Sequence, residues 1–347
     1  SKKQNMSLKN SSVIIKIPNI LKVKLKNKRI KKSYQKFKKS LNLNENFSVA
    51  VSGGPDSLAL AFLAKIYSIE KKLKPKFYIV DHQLRPESTK EAQKVKACLK
   101  KIFVKAEILT WKRKKKIKNT QLNARIARYK LLFQKSAKSK IKNILLGHHQ
   151  DDLFENFFIR MTRGSGLKGL ISFNKKVKIE DKNIFRPLLD QKKDDLVFIS
   201  KFVFNFYVED PTNNNEKYQR TKIRKFINEL QKNGLDKNKF SKTIQNLRRS
   251  NNVVDFYVNK NMIKNSFYSE RSNKLFLKKN FFQQPYEIVF RSLSESLRLI
   301  GKKYYSARGK KLDRLISNFE SNYPPKVTLG GCIIEKINQT VIISKEN

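Results

Sequence analysis

Cysteine, histidine and, beside its bases, acidic residues are scarce in this chain of 347 residues: two Cys, three His, and 28 Asp and Glu against 78 Lys and Arg. Cys98 and Cys332 stand alone without paired spacing, which argues for a reducing compartment and against a disulfide framework or a Cys-ligated zinc or iron–sulfur centre. Three histidines leave little for another metal cage. No stretch reaches the roughly 18 apolar residues that span a bilayer, and the lysine-studded start lacks an uninterrupted apolar signal core. A cytoplasmic protein with no membrane partner is therefore expected. The shortage of acids leaves a formal charge of +50, a field that binds polyanions by counterion release, with nucleic acid the obvious partner class. Of the 78 basic residues 17 are arginine and 61 lysine, beside much Asn, Ile and Phe, a mixture that AT-rich codon usage also produces.

The length suits about two to three domains, and 39% hydrophobic residues suffice for their cores. Residues 1–46 are lysine-rich and read as a flexible or weakly ordered basic extension. From 47 to 229 strand-like and helix-like runs alternate: strands at 47–51, 76–80, 106–109 and 143–146, helices at 57–70, 88–102, 121–138 and 151–163. Repeated βα units imply a parallel sheet covered on both faces, with ligands above the carboxyl ends of its strands. Beyond about 230 the apolar spacing turns to threes and fours without strand alternation, giving a helical domain to about 300. The segment 301–347 ends in a hairpin or small sheet around 326–334 and 340–343.

The most informative segment is Ser52-Gly53-Gly54-Pro55-Asp56-Ser57, between the first strand and the first helix. A glycine turn there aims free backbone N–H groups at an anion, and the serine hydroxyls add donors that a pyrophosphate can accept. No lysine follows the glycines, so this is not the Walker pattern. Three other segments fall at the same rim. Asp81-His82-Gln83-Leu84-Arg85 follows the second strand. Gly147-His148-His149-Gln150-Asp151-Asp152 follows the fourth and opens a helix on which His149, Asp152 and Glu155 recur every three residues. Clustered carboxylates there suit Mg2+ on phosphates or proton acceptance from an amine. On the helix from Thr120, Leu122, Ile126, Tyr129 and Phe133 read as inward, and Arg125 with Arg128 as a face suited to an α-phosphate. Arg163-Gly164-Ser165-Gly166, Asp210-Pro211-Thr212-Asn213 and Arg220-Thr221-Lys222-Ile223-Arg224 add weaker positive or acidic turns.

The six-residue loop resembles the SGGxDS signature of the PP-loop ATP pyrophosphatases. Taken in order, the segments resemble one family within them, the bacterial tRNA(Ile)-lysidine synthases. The likeness is carried by Ser52 to Ser57, Val80-Asp81-His82 with Leu84-Arg85, Gln121 with Ala124-Arg125 and Arg128-Tyr129, and His149 with Asp151-Asp152 and Glu155. Arg163-Gly164-Ser165-Gly166, Arg186-Pro187-Leu188-Leu189, Asp210-Pro211 with Asn213, and Arg220 with Ile223-Arg224 continue it, while Thr328-Leu329-Gly330-Gly331 matches more loosely. Asn156 departs from a threonine often found there, and the region beyond 230 is short.

The resemblance implies an α/β fold: a Rossmann-like parallel-sheet PP-loop domain (adenine nucleotide alpha hydrolase-like), then a helical tRNA-binding domain and a small β-containing C-terminal segment. It implies an ATP-dependent ligase, acting in the bacterial cytoplasm. ATP adenylates the wobble cytidine of a CAU-anticodon tRNA(Ile), and free L-lysine displaces AMP to give lysidine. On this view Ser52, Gly53, Gly54, Pro55, Asp56 and Ser57 hold ATP, with Mg2+ near Asp56. Asp152 and Glu155 bind or deprotonate the lysine amine, His149 orients them and Arg125 stabilises the adenylated intermediate. Asp81, His82, Arg163, Arg220 and Arg224 are candidates for lysine or tRNA. A homodimer is compatible with it. The alternatives are another PP-loop tRNA-modifying enzyme of thiolase type, which normally recruits cysteine pairs, and a noncatalytic basic RNA-binding protein.

Overall fold

The computed structural model describes residues 17–111, 120–209, 219–303, 309–320 and 326–346. It divides into two compact units, 1–235 and 236–347.

In the first unit the helices α1 (Asn19–Lys26) and α2 (Lys28–Ser40) occupy much of the stretch expected as a weakly ordered basic extension. The Asn27 side chain accepts the N–H groups of Arg29 and Ile30 and so starts α2. Leu21, Ile30, Tyr34 and Phe37 then enter the main core, Phe37 meeting Tyr67 edge-on at 5.9 Å. The lysines cover the outer face, while Arg29 and Lys38 pair with Asp195 and Glu70 at 2.6 and 2.8 Å. Charge hid an amphipathic helix.

The sheet comprises β1 (Phe47–Val51), β2 (Lys76–Asp81), β3 (Ala106–Thr110), β4 (Asn143–Leu145), β5 (Lys176–Ile179) and β6 (Lys182–Phe185), in the order β3-β2-β1-β4-β6-β5. All neighbours are parallel except the β5–β6 hairpin, which adds two strands to the four expected. The connecting helices are α3 (Pro55–Glu70), α4 (Ser88–Lys100), α5 (Thr120–Lys138), α6 (Gln150–Met161), the short α7 (Leu167–Leu170), α8 (Lys193–Phe204) and α9 (Gln219–Lys232).

Strand alternation sorts the two faces. Phe47, Val49, Val51, Phe77, Ile79 and Leu145 pack with apolar residues of α3, α4 and α8. Ala50, Tyr78, Val80, Ile144 and Leu146 meet α5, where Leu132, Tyr129 and Phe133 lie. On α5 the expected inward Ile126 is instead 56% exposed, and Ala124 and Ala127 are buried in its place.

Chain direction reverses between β1 and β4: from β1 the chain runs outward through β2 and β3, then returns to place β4 on the other side of β1. In open α/β sheets the crevice at the carboxyl ends beside such a reversal is where ligands bind. The loops after β1 and β4 flank it.

The second unit places α10 (Lys237–Asn265), α11 (Lys279–Phe282), α12 (Tyr286–Ile300) and α13 (Gly309–Glu320) with an antiparallel sheet of β7 (Ser266–Ser269), β8 (Lys274–Leu277), β9 (Lys326–Leu329), β10 (Cys332–Ile337) and β11 (Thr340–Lys345). The sheet order is β7-β8-β11-β10-β9, so the strands after α10 pair with the C-terminal ones. Leu275 and Leu277 share a core with Val289, Leu293, Leu312, Leu315, Cys332 and Ile343. The expected division into a strandless helical domain to about 300 and a separate terminal segment therefore gives way to one mixed unit, because β8 needs β11 as its partner. Among the described residues no helix is long and apolar enough to cross a membrane.

Candidate active site

Between β1 and α3 the loop is organised by Ser57. Its Oγ accepts the backbone N–H groups of Ser52 and Gly53 at 3.1 and 3.0 Å and the Ser52 hydroxyl at 3.2 Å, and donates to the Gly54 carbonyl at 2.9 Å. The expectation that the serine hydroxyls offer free donors is thus modified: the Ser52 and Ser57 protons are both engaged within the loop. Gly53 has φ +91°, and a Cβ on it would lie 2.5 Å from Val95 Cγ2 and 3.0 Å from Val208 Cγ2. Its carbonyl accepts the Val208 N–H at 3.0 Å. Only glycine fits between these valines. Gly54 caps α3 without a side-chain bond and Pro55 follows at the first helical position, leaving the N–H groups of Asp56 and Ser57 at the positive end of the helix for an anion.

The loop after β4 packs directly on this helix start. A Cβ on Gly147 would approach the Ser57 backbone N and Cα at 3.2 Å each. The next residues form the N-terminus of α6 as a capping box: His149 Nδ1 accepts the Asp151 N–H at 3.2 Å, and Asp152 Oδ2 accepts the His149 N–H at 2.9 Å. That acceptor role leaves the proton of the neutral ring on Nε2, which lies 3.5 Å from Asp56 Oδ2 and 3.6 Å from Asp152 Oδ2. Burial opposes charge on this ring, but the Asp56 contact and the Asp152, Asp56 and Asp151 charges outweigh it and raise the His149 pKa above its ordinary value. For Asp152, burial pushes the carboxyl upward, while His149, His148, Arg220 and the His149 N–H more than offset it and hold it below the usual range. His149 therefore links the phosphate loop to the acidic helix.

A cleft of about 540 Å3 opens between these loops at the carboxyl ends of β1 and β2. Its volume falls within the range of small-ligand sites. Gly54 to Ser57, His148, His149 and Asp152 line it together with Arg125, Arg128, Arg220 and Arg224. The elements singled out in the sequence thus converge on one place, but not all of their side chains do.

Glu155 is the main correction. It is 1% exposed and does not line the cleft. Arg224 Nε donates to its Oε1 at 2.7 Å, and Arg220 Nε lies 3.0 Å from Oε2. Arg220 also reaches Asp152 Oδ1 at 3.4 Å. Glu155 therefore fastens α9 to α6 and aims two guanidiniums, leaving Asp152 as the α6 acid that lines the cleft, beside Asp56, Asp81 and Glu91 from other elements.

Asp81 is occupied too: its oxygens accept the Gln83 N–H and the hydroxyls of Ser88 and Thr89 at 3.0, 2.9 and 2.7 Å, which builds the start of α4. His82 lines the cleft, contacts Arg128 at 3.4 Å and Trp111 edge-on, and burial with the Arg128 charge lowers its pKa to about 4. Arg163 lies outside the lining and donates to Gln219 at 2.8 Å, while 210–213 lie outside the described residues.

Two residues to which the sequence assigned no role also line the cleft, His148 and Lys193. His148 lines the cleft with Nδ1 buried and unpartnered, its ring edge-on to Phe173 at 5.2 Å, and burial lowers its pKa to about 3. The helix register of Lys193 was the available signal.

A parallel sheet with a glycine loop and helix N-terminus at its reversal point, lined by basic side chains, defines the class: a nucleotide-phosphate-binding α/β protein. A family model described as PP-loop domain matches residues 25–231, beginning within α1. The tRNA(Ile)-lysidine synthase of Wolbachia pipientis wMel is 32% identical over 310 residues, covering 88% of this chain and 71% of that protein. The synthase of the same name from Orientia tsutsugamushi (strain Boryong) is 33% identical over 315 residues, covering 87% and 70%. Among solved structures, the U34-tRNA thiolase NcsA from Methanococcus maripaludis with its [4Fe-4S] cluster matches with a TM-score of 0.53 at 21% identity, over 64% of this chain and 79% of that one. This last likeness is one of fold. The chain belongs to the tRNA(Ile)-lysidine synthase family of PP-loop proteins.

Proposed function

We propose that this protein ligates free L-lysine to C2 of the wobble cytidine of a CAU-anticodon tRNA(Ile) at the expense of ATP. The carrying observation is the contact of Gly147 with the Ser57 backbone together with the His149 bridge between Asp56 and Asp152. Phosphate loop and acidic helix share one cleft.

In the first step cytidine O2 attacks the α-phosphorus, the bond to the bridging oxygen breaks and pyrophosphate leaves. The α3 N-terminus and the 52–57 loop hold the phosphates, and Arg125, reaching the cleft from the opposite face of the sheet, offsets charge on the α-phosphate. In the second step the lysine ε-amine attacks C2, the C2–O2 bond breaks and AMP leaves. Asp152 holds the incoming ammonium and accepts its proton, with His149 fixing the carboxylate. Glu155 acts by positioning Arg220 and Arg224.

Asp56 Oδ1 is buried without a hydrogen-bond partner, and a single carboxylate beside nucleotide phosphates is a usual way to hold Mg2+. Among the described residues no group of three or more His, Cys, Asp or Glu could cage a metal by itself. Asp56 with the phosphates would therefore hold Mg2+, which neutralises phosphate charge when bound.

In the second unit the exposed side of α10 carries Lys242, Arg249, Val253, Phe256 and Lys260, at successive spacings of seven, four, three and four residues. Its charge and aromatics suit an RNA backbone and bases, and we assign this unit to tRNA binding. Incubation with ATP, labelled lysine and either tRNA(Ile) bearing CAU or tRNA(Met) tests the reading. Lysine enters the first tRNA alone; absence of transfer with intact tRNA(Ile) would overturn it.

A further inference from the structure

We infer that Lys193 is the cation of the β- and γ-phosphates, supplied by α8 where the loop itself has no lysine; this rests on the ATP reading above. The buried side of α8 is Leu196, Ile199, Ser200 and Phe204. Lys193 precedes Leu196 by three residues and Ser200 by seven, so it continues that inward stripe toward the helix start. Its neighbours Lys192 and Asp194 are exposed, whereas Lys193 is half-buried and lines the cleft. Two turns along the same stripe, the Ser200 hydroxyl donates to the Pro55 carbonyl at 2.5 Å, which fixes α8 to the start of α3. Lys193 is thereby carried on a helix anchored to the phosphate loop itself.

Two further observations point to an anion. Lys193 is the first residue of α8, at the positive end of the helix, where the dipole disfavours a cation and favours acids such as Asp194 and Asp195. Among the described residues it also has no ion-pair or hydrogen-bond partner, unlike the other cleft cations near the acids: Arg85 pairs with Glu91 at 2.9 Å, and Arg220 and Arg224 are held by Asp152 and Glu155. Arg125 lies over Tyr129 on the other face of the sheet. The two faces divide the triphosphate, α5 serving the α-phosphate through Arg125 and α8 serving the pyrophosphate that leaves. Position and charge leave Lys193 a phosphate role at the loop side of the cleft.

The test compares AMP with α,β-methylene-ATP in calorimetric titrations of the wild type, Lys193→Ala and Lys193→Arg, with pyrophosphate product inhibition alongside. Loss of one charge-assisted contact weakens the triphosphate analogue and pyrophosphate about 10- to 100-fold in Lys193→Ala. AMP affinity stays within about twofold, and Lys193→Arg recovers most of the loss. Equal analogue binding by wild type and Lys193→Ala, or an equal loss for AMP, would overturn the assignment. Failure of the wild type to bind the analogue at all would instead defeat the ATP reading.

Discussion

Glu155 and its two arginines differ sharply in exposure, and that difference predicts an unusual order of stabilities. The Glu155 side chain is 2% exposed, while Arg220 and Arg224 are 41% and 35% exposed. Removing the carboxylate frees two guanidiniums that can rehydrate where they stand; removing both arginines strands a buried carboxylate that cannot. Glu155→Gln should therefore cost only about 1–2 kcal/mol, the value of charge-assisted bonds discounted for solvent screening. Arg220→Ala with Arg224→Ala should cost about 3–5 kcal/mol, as for a buried pair broken from one side. Adding Glu155→Gln to that double variant should return part of the loss. The assay is urea unfolding followed by Trp111, the chain's single tryptophan, which lies in the first unit 6.2 Å from His82. With a slope of about 2–3 kcal/mol per molar urea, the double arginine variant should lower the midpoint by more than about 1 M. A triple variant less stable than the double one, or a Glu155→Gln loss equal to that of the two arginines, would show that the burial of Glu155 does not set this order.

Gly53→Ala should cost about 1–2 kcal/mol for a side chain at positive φ and about 1–3 more for the overlap with Val95, and should weaken ATP binding; chemical denaturation and nucleotide titration check both. The histidines set an acid limit. His82 and His148 have folded pKa values of about 4 and about 3, below the unfolded value, so their contribution is complete above about pH 6.5 and is lost as pH falls toward those values. The slope of stability against pH between about 6.5 and 4 should flatten in a His82→Asn, His148→Asn variant.

The core of the first unit was legible because each element carried its own signal. A β-branched run, two glycines and an apolar helix stand contiguously at 47–64, and the acids after Gly147 sit at a strand end. The β5–β6 hairpin was not, since Lys-Val-Lys-Ile and Lys-Asn-Ile-Phe are short, lysine-interrupted edge segments. The amphipathic α2 was hidden by lysines, although Ile30, Tyr34 and Phe37 already kept helical spacing. At the site, local sequence brought Asp152 and Glu155 to one helix but could not reveal that Arg220 and Arg224, some 70 residues away in the chain, would occupy Glu155. Which acid faces the ligand is decided by tertiary pairing. Lys193 lay between these cases: its register on α8 was readable once the inward face was known.

Gly147→Val probes whether loop 52–57 and the start of α6 work as one catalytic centre, packed backbone against backbone. Branched carbons would press on the Ser57 backbone, which would stand only 3.2 Å from even a single added Cβ. A displacement of about 1 Å can cost about 100-fold in rate when reacting groups must align. Lysine transfer to tRNA(Ile) should fall by at least about 100-fold while the Trp111 unfolding transition is retained; transfer at the wild-type rate would show that the two loops do not form one centre.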